Sequence, residues 1–427
     1  MGGTMDEGEQ RPKLTTGGLV AVGLGNALAF YDLIIFSVFA VQISKVIYPP
    51  GDPATELMLT LGTFALGFLT RPLGAVVIGR FGDRKGRKPA MLLSFSLAGT
   101  AVLAQALVPP YAAIGIAAPL IMLALRMILG FAIGGEVGPS TAYLVECAPP
   151  AKRGTIVSVQ FATQEAASLV AGIVGFVLAG MLSAAALEAW GWRVAMGIGA
   201  LIVPFGLWAR SRLEETLHVA QAETDSVEEH GRSPGRLALL GFIMISSATV
   251  ATYGLQYLNT YAQRQLGLPV QEAFTATIFY GLAAVIFNLG GGWLSDRYGR
   301  KPVMIGGMAV LALGLLPAFV LLNASPTTLT LLLVSFTLSI PNAIGPAAAV
   351  VGLTEALPPR ARSANLAIPY ALGVAVFGGS AQFIIAWLLK ATADPLAPAY
   401  YVTAIVLVGL TAMAMMPETA PVRRKKA

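Results

Sequence analysis

The sequence predicts an all-α integral membrane protein, with twelve transmembrane helices in two pseudo-symmetric six-helix bundles. Three observations carry that reading. Hydrophobic residues make up 56% of the 427 positions and charged residues only 12%, a balance far from that of soluble domains. Apolar stretches of about 20 residues, the length that crosses a bilayer as a helix, recur along the whole chain. A charged turn is also written twice: Asp83-Arg84-Lys85-Gly86-Arg87-Lys88-Pro89 returns half a chain later as Asp296-Arg297-Tyr298-Gly299-Arg300-Lys301-Pro302. A second motif also recurs about half a chain later, Glu146, Pro149, Pro150 and Arg153 returning as Glu355, Pro358, Pro359 and Arg362. Duplicated membrane domains are most often transporters.

The spans of the first half are expected at 17–46, 56–80, 88–109, 114–147, 154–182 and 192–210. Those of the second half fall at 237–263, 270–294, 302–323, 327–356, 363–389 and 396–416. Strand-type alternation is absent, which excludes a barrel. Gly and Pro occur inside the spans, where neighbouring helices can re-satisfy the backbone. The first stretch is too long for a signal peptide and lacks a small-residue cleavage site, so it reads as an uncleaved helix. Ser211–Arg236 carries Glu214, Glu215, Glu223, Asp225, Glu228 and Glu229 and reads as a solvated linker. The expected plan is a terminus at 1–16, a bundle at 17–210, the linker at 211–236, a second bundle at 237–416 and a basic tail at 417–427.

Lys and Arg set the orientation. With twelve spans, both termini and the even-numbered loops share one side, and that side holds both charged turns, Lys152, Arg210, Arg232 and Arg423 to Lys426. Little beyond Lys45, Arg264 and Lys390 falls opposite. The positive-inside rule places both termini in the cytoplasm of a multi-pass inner-membrane protein. The net charge of +6 is then topogenic, with acidic lipid headgroups as its partner rather than nucleic acid. The single cysteine, Cys147, permits no internal disulfide, and the two histidines, His218 and His230, lie in the linker, so no Cys/His metal cluster exists. No phosphate-cradling glycine loop or catalytic triad is present, which argues against an enzyme and against ATP as the driving force.

Gly79-x-x-x-Asp83-Arg84-x-Gly86-Arg87-Lys88 between spans two and three, repeated from Gly292 between spans eight and nine, resembles the major facilitator superfamily. Narrower motifs are similar to its metabolite:proton symporters: Gly25-Asn26 with Tyr31-Asp32, Arg71-Pro72-Leu73-Gly74, and Arg126-x-x-x-Gly130-Phe131-x-x-Gly134-Gly135-Glu136. Leu353-Thr354-Glu355 and Phe377-Gly378-Gly379 look most like the citrate and tricarballylate members. The resemblance implies alternating access, a proton gradient as driving force in place of any cofactor, and a small organic acid as cargo. Other members carry dicarboxylates, aromatic acids, proline or betaine. It also implies a cytoplasmic latch built from Asp83, Arg84, Arg87, Glu146 and Arg153 with their repeats Asp296, Arg297, Arg300, Glu355 and Arg362. The chain departs from the pattern at Ala29, where relatives usually carry a glutamate.

A charge at mid-bilayer costs at least about 2.5–3.5 kcal/mol, so each such residue is a candidate for function. Asp32 lies about 20 Å into span one and Arg126 near the middle of span four. Arg126 is expected to clamp a substrate carboxylate, which a guanidinium matches bidentately, with Asp32 as proton acceptor. The alternative is a structural Asp32–Arg126 ion pair. Glu165 shares a helix face with Gln160 and Gln164 and is a second proton-coupling candidate; its alternative is a hydrogen-bonded glutamate facing span two. Arg71 and Glu136 are expected in gating or structural roles.

The second half offers polar groups only. Tyr253, Tyr257 and Thr260 form a stripe on span seven with Gln256 and Asn259 beside it, and Tyr370 and Gln382 lie on span eleven. Asn342 falls between Pro341 and Gly345-Pro346, where a broken helix would free carbonyls. With Asn26, Tyr31, Gln160 and Gln164 these residues are expected to line a substrate site by hydrogen bonding; ordinary interhelical packing is the alternative for each tyrosine. The expected function is proton-coupled symport of an organic carboxylate (citrate-like, di- or monocarboxylate) by a protein acting as a monomer. A uniporter or exchanger of the same acids, or a symporter of a zwitterion such as proline or betaine, stands as the alternative.

Overall fold

The computed structural model describes residues 16–85, 87–134, 144, 148–200, 234–356 and 370–424. Among them nine helices are long and apolar enough to cross a bilayer, ten with the bent first pair, and no strand occurs. The first span is α1 (Thr16–Val38) and α2 (Ala40–Ile47). The second is α3 (Pro53–Leu69) and α4 (Arg71–Lys85), started by Asp52, whose carboxylate accepts from the Thr55 nitrogen with Pro53 at the first helical position. Then come α5 (Arg87–Ala106), α6 (Ala117–Gly134) and α7 (Arg153–Met181). A further helical stretch at 192–200 runs up to undescribed residues.

The second half follows the same plan. Here α8 (Pro234–Gln256) and α9 (Leu258–Arg264) share one span, followed by α10 (Val270–Tyr298), α11 (Arg300–Ala324) and α12 (Thr328–Ala356). A π turn at Val374–Gly378 precedes α13 (Gly379–Thr392), and α14 (Ala397–Met415) is the last span. The shorter apolar α5 and the helical stretch at 192–200 fall where spans three and six are expected, so the described helices follow the order of two six-helix bundles. Large apolar side chains such as Leu73, Leu313, Val320 and Leu407 are exposed, as a lipid-facing surface requires.

Two expectations about helix breaks are corrected. The first span is bent by 71° at Phe39 rather than continuous over 17–46. Phe39 leaves the helical well (φ −97°, ψ 16°), its ring packs 5.0 Å from Phe274 of the other half, and Asn259 takes the Val38 carbonyl at 2.7 Å. The distortion is therefore held by partners far away in sequence. The reverse holds at Pro341 and Pro346, where α12 continues through both prolines; neighbouring helices tolerate the missing donors.

Two seams join the halves: α7 runs along α10, and α3 packs on α13 and its π turn. Lipid supplies no hydrophobic drive for helix association, so close packing of small residues must. At the first seam a Cβ on Gly281 would lie 2.5 Å from the Leu169 nitrogen, nearer than any side chain allows. The glycine of the second charged turn has its own cause. Gly299 adopts φ +107° between α10 and α11, a conformation that favours glycine.

Candidate functional site

A cavity with about 680 Å³ of space, including its open mouth, lies between the halves. The N-terminal half contributes Phe30, Arg71, Phe161, Gln164 and Glu165; the C-terminal half contributes Thr252, Tyr253, Tyr280, Asn342 and Tyr370 among others. Arg71, expected in the gate, thus lines the cavity instead. It is 3% exposed, its Nε and one terminal nitrogen have no hydrogen-bond partner, and its guanidinium lies 4.0 Å over the Phe68 ring. Glu165, 6% exposed, accepts from the Ser168 hydroxyl at 3.0 Å and the Tyr280 hydroxyl at 3.3 Å. Asn342 donates to Thr252 at 3.3 Å and keeps its carbonyl oxygen unbonded.

Arg126 lies behind this wall. It is 2% exposed, all three guanidinium nitrogens lack partners, and its charge rests 3.6 Å over Phe36 and 5.9 Å from Phe64. Asp32 is buried with Oδ1 unbonded, close against Gly199. No Asp32–Arg126 ion pair is present among the described residues. The two side chains are therefore not in direct contact, although they lie near enough to interact electrostatically.

Other expected site residues are engaged in helix packing. Asn26 donates to the Gln160 carbonyl at 2.8 Å, joining α1 to α7. Tyr31 donates to the Ala195 carbonyl at 3.1 Å. Gln160 is buried and does not share the cavity with Gln164 and Glu165. Gln256 reaches Ser168 at 3.4 Å, and Tyr257 is buried where α8 gives way to α9. Gln382 accepts from Ser37 at 2.8 Å and donates to the Tyr253 carbonyl at 3.3 Å. Tyr280 and Thr252 were not singled out from the sequence; Thr252 lies one turn after Thr249 and one turn before Gln256, a polar stripe that was the available signal, and Tyr280 follows Thr277 by one turn.

At the charged-turn end the two halves are latched. Asp296 of α10 accepts from the Gly154 nitrogen, the Thr155 nitrogen and the Thr155 hydroxyl, each at 2.8 Å, and so caps α7 of the other half. Arg300, fully buried, bonds Asp296 at 2.6 Å and Glu355 at 3.1 Å. Arg153 lies 4.0 Å from Glu355. Glu418 accepts from the Arg300 and Lys301 nitrogens at 2.9 and 3.0 Å, and the Thr419 hydroxyl donates to Glu355 at 2.8 Å. Neither of these last two was anticipated; the available signal was an acidic residue just past Pro417, beyond the last span. Among the described residues Arg297 lies over Trp293 and Tyr298, and Arg84 is exposed on α4. The side chains of Asp83 and Arg87, and Glu136, Glu146 and Arg362, lie outside the described residues.

At the opposite end Lys390 of α13 bonds Asp52 and Thr55 at 2.7 Å. Gln42 and Gln263 meet at 2.9 Å across the halves. Asp52 is held down to about 2 by its hydrogen bonds to Lys390 and Thr55.

The family model for "Sugar (and other) transporter" matches residues 18–229, and that for "Major Facilitator Superfamily" matches residues 237–427. The citrate-proton symporter of Klebsiella pneumoniae is 33% identical over 405 residues, covering 93% of this chain and 90% of the relative. The alpha-ketoglutarate permease of Escherichia coli (strain K12) is 32% identical over 416 residues, 93% of each. The proline/betaine transporter of Salmonella typhimurium is 30% identical, covering 97% of this chain and 85% of the relative. Among solved structures, a partially occluded inward open form of the xylose transporter XylE from E. coli gives a TM-score of 0.78 at 17% identity, covering 94% of this chain and 97% of that one. A D-xylose-proton symporter gives 0.75 at 20%, covering 95% and 98%; both likenesses are of fold. The chain belongs to the major facilitator superfamily of membrane transporters.

Proposed function

We propose that the protein is a proton-coupled symporter of an organic carboxylate, citrate-like or a smaller di- or monocarboxylate, which it moves by alternating access. One observation carries the reading: Arg71, buried with unbonded nitrogens, and Glu165, a buried carboxylate, line the same cavity between the halves. Arg71 supplies the charge that a carboxylate needs in a dry site, and Arg126 behind it a second cation as the cavity reshapes. Glu165 carries the proton, with Asp32 as the other candidate. The tyrosines and Asn342 of the C-terminal half orient the rest of the cargo. Relatives named as citrate-proton symporters and an alpha-ketoglutarate permease support this substrate class.

Rocking of the bundles about their two seams opens either end in turn. The latch about Asp296 and Arg300 holds one end, the Lys390–Asp52 bridge the other. We place the charged-turn end and both termini in the cytoplasm of an inner-membrane protein, on the strength of the positive residues gathered there. The bundles are assigned to 17–210 and 237–416, joined by the linker at 211–236, in a monomer held in lipid.

A zwitterion is the second reading. Glu165 with Phe30, Tyr253 and Tyr370 could receive a quaternary ammonium group while Arg71 holds its carboxylate, and proline/betaine transporters are among the relatives. The two separate on Glu165→Gln in proteoliposomes. A carboxylate symporter that carries its proton on Glu165 loses gradient-driven accumulation and keeps counterflow exchange of the acid. If the variant accumulates the acid normally, the proton role is wrong; if it loses betaine binding, the zwitterion reading prevails.

A further inference from the structure

We infer that Tyr280 is the positioning residue for proton exchange at Glu165, a hydroxyl from the C-terminal half that holds the carboxylate of the N-terminal half. The inference rests on the proton-carrying role proposed for Glu165. Each carboxylate oxygen has one hydroxyl donor: Ser168 bonds Oε2 at 3.0 Å and Tyr280 bonds Oε1 at 3.3 Å. Ser168 lies on α7 and moves with Glu165. Tyr280 lies on α10 and moves with the other bundle. Gln256 of α8 also donates to Ser168 at 3.4 Å, so both donors answer to the C-terminal half.

The backbone fixes where this bond sits. A Cβ on Gly281, next to Tyr280, would lie 2.5 Å from the Leu169 nitrogen, and one on Gly172 would lie 2.8 Å from the Ile278 nitrogen. Here α7 and α10 are in near backbone contact, where a rocking motion displaces them least. Tyr280 therefore stays within reach of Glu165 while the ends of the bundles swing apart.

An ionised carboxylate accepts from both hydroxyls. A protonated one donates from one oxygen, so the hydroxyl facing that oxygen must accept instead of donating. Loss of either donor therefore disfavours the ionised form relative to the intact pair. The other charged or titratable groups lining this space are Arg71 from α4, Tyr253 from α8 and Tyr370 before the π turn. From α1 and α12 come Phe30 and Asn342, which carry no charge, and Asp32 and Arg126 do not line it.

The test is infrared spectroscopy of the purified full chain in lipid across pH, with the carboxyl stretch of Glu165 identified by its loss in Glu165→Gln. In Tyr280→Phe the midpoint of that band should move to higher pH by about one unit, the loss of one charge-assisted hydrogen bond. With 3-fluorotyrosine at position 280, a more acidic and stronger donor of almost the same shape, it should move to lower pH; this version reads out even where the phenylalanine variant folds poorly. An unmoved midpoint in these variants overturns the role of Tyr280. A Glu165 band that does not titrate between about pH 4 and 10 overturns the proton-carrying role itself, a distinct result.

Discussion

Asp296 Oδ1 lies 2.8 Å from the backbone nitrogen of Gly154, so a carboxylate of one half caps the first turn of a helix in the other. With Thr155 it makes three such bonds, and it also pairs with Arg300. Replacing Asp296 by Ala removes all of them and leaves the start of α7 uncapped. The closed state at this end should lose about 1–2 kcal/mol, the worth of a cap. The check is alkylation of Ser158→Cys, which is packed against Gly292 in the seam, in a Cys147→Ser background. The rate should rise about tenfold in the Asp296→Ala protein.

Arg300 is fully buried between Asp296 and Glu355. Arg300→Ala leaves Asp296 without its cation and Glu355 with Arg153 at 4.0 Å, a cost of about 3–5 kcal/mol. Thermal unfolding in detergent should show a large drop for this variant, and Glu355→Gln added to it should recover part of the loss.

Arg71→Ala should raise the KM for a carboxylate substrate about 10–100-fold, the loss of a charged hydrogen bond. Lys in its place should restore only part, because one ammonium cannot replace the guanidinium fork. Uptake kinetics in proteoliposomes decide this.

The bridge at the opposite end should be blind to physiological pH. Asp52 is held at about 2 by Lys390 and Thr55. A carboxylate with a depressed folded value contributes above its ordinary value and loses that contribution only as pH falls through about 2. Spin-label distances between the α2–α3 loop and the end of α13 should therefore stay constant from about pH 5 to 8 in wild type. They should broaden in Lys390→Ala at every pH.

Periodicity and duplication made the architecture legible: twelve apolar stretches and a twice-written charged turn suffice for two bundles. The motif glycines were legible as a pattern but not as a cause. A Cβ on Gly130 would come 1.7 Å from the Gly67 carbonyl, which explains why this crossing of α3 and α6 takes glycine. The bend at Phe39 was not legible, because no proline or glycine sits there; Phe274 and Asn259, from the other half, hold it. Depth could be counted from a helix end, which placed Arg126, Asp32 and Glu165 in the interior. Azimuth cannot be counted, so the sequence points to a gating or structural role for Arg71, which lines the cavity, and to a cavity role for Asn26 and Tyr31, which bond neighbouring helices. Glu418 escaped notice because its partners, the first nitrogens of α11, are more than a hundred residues away.

The central claim is gradient-driven carboxylate transport. Its most direct test is uptake by proteoliposomes with and without an inward proton gradient, over mono-, di- and tricarboxylates and betaine. Accumulation of one acid class above equilibrium only with the gradient, abolished in Glu165→Gln, is the predicted result. Equal filling with and without the gradient, or accumulation of betaine alone, would contradict it.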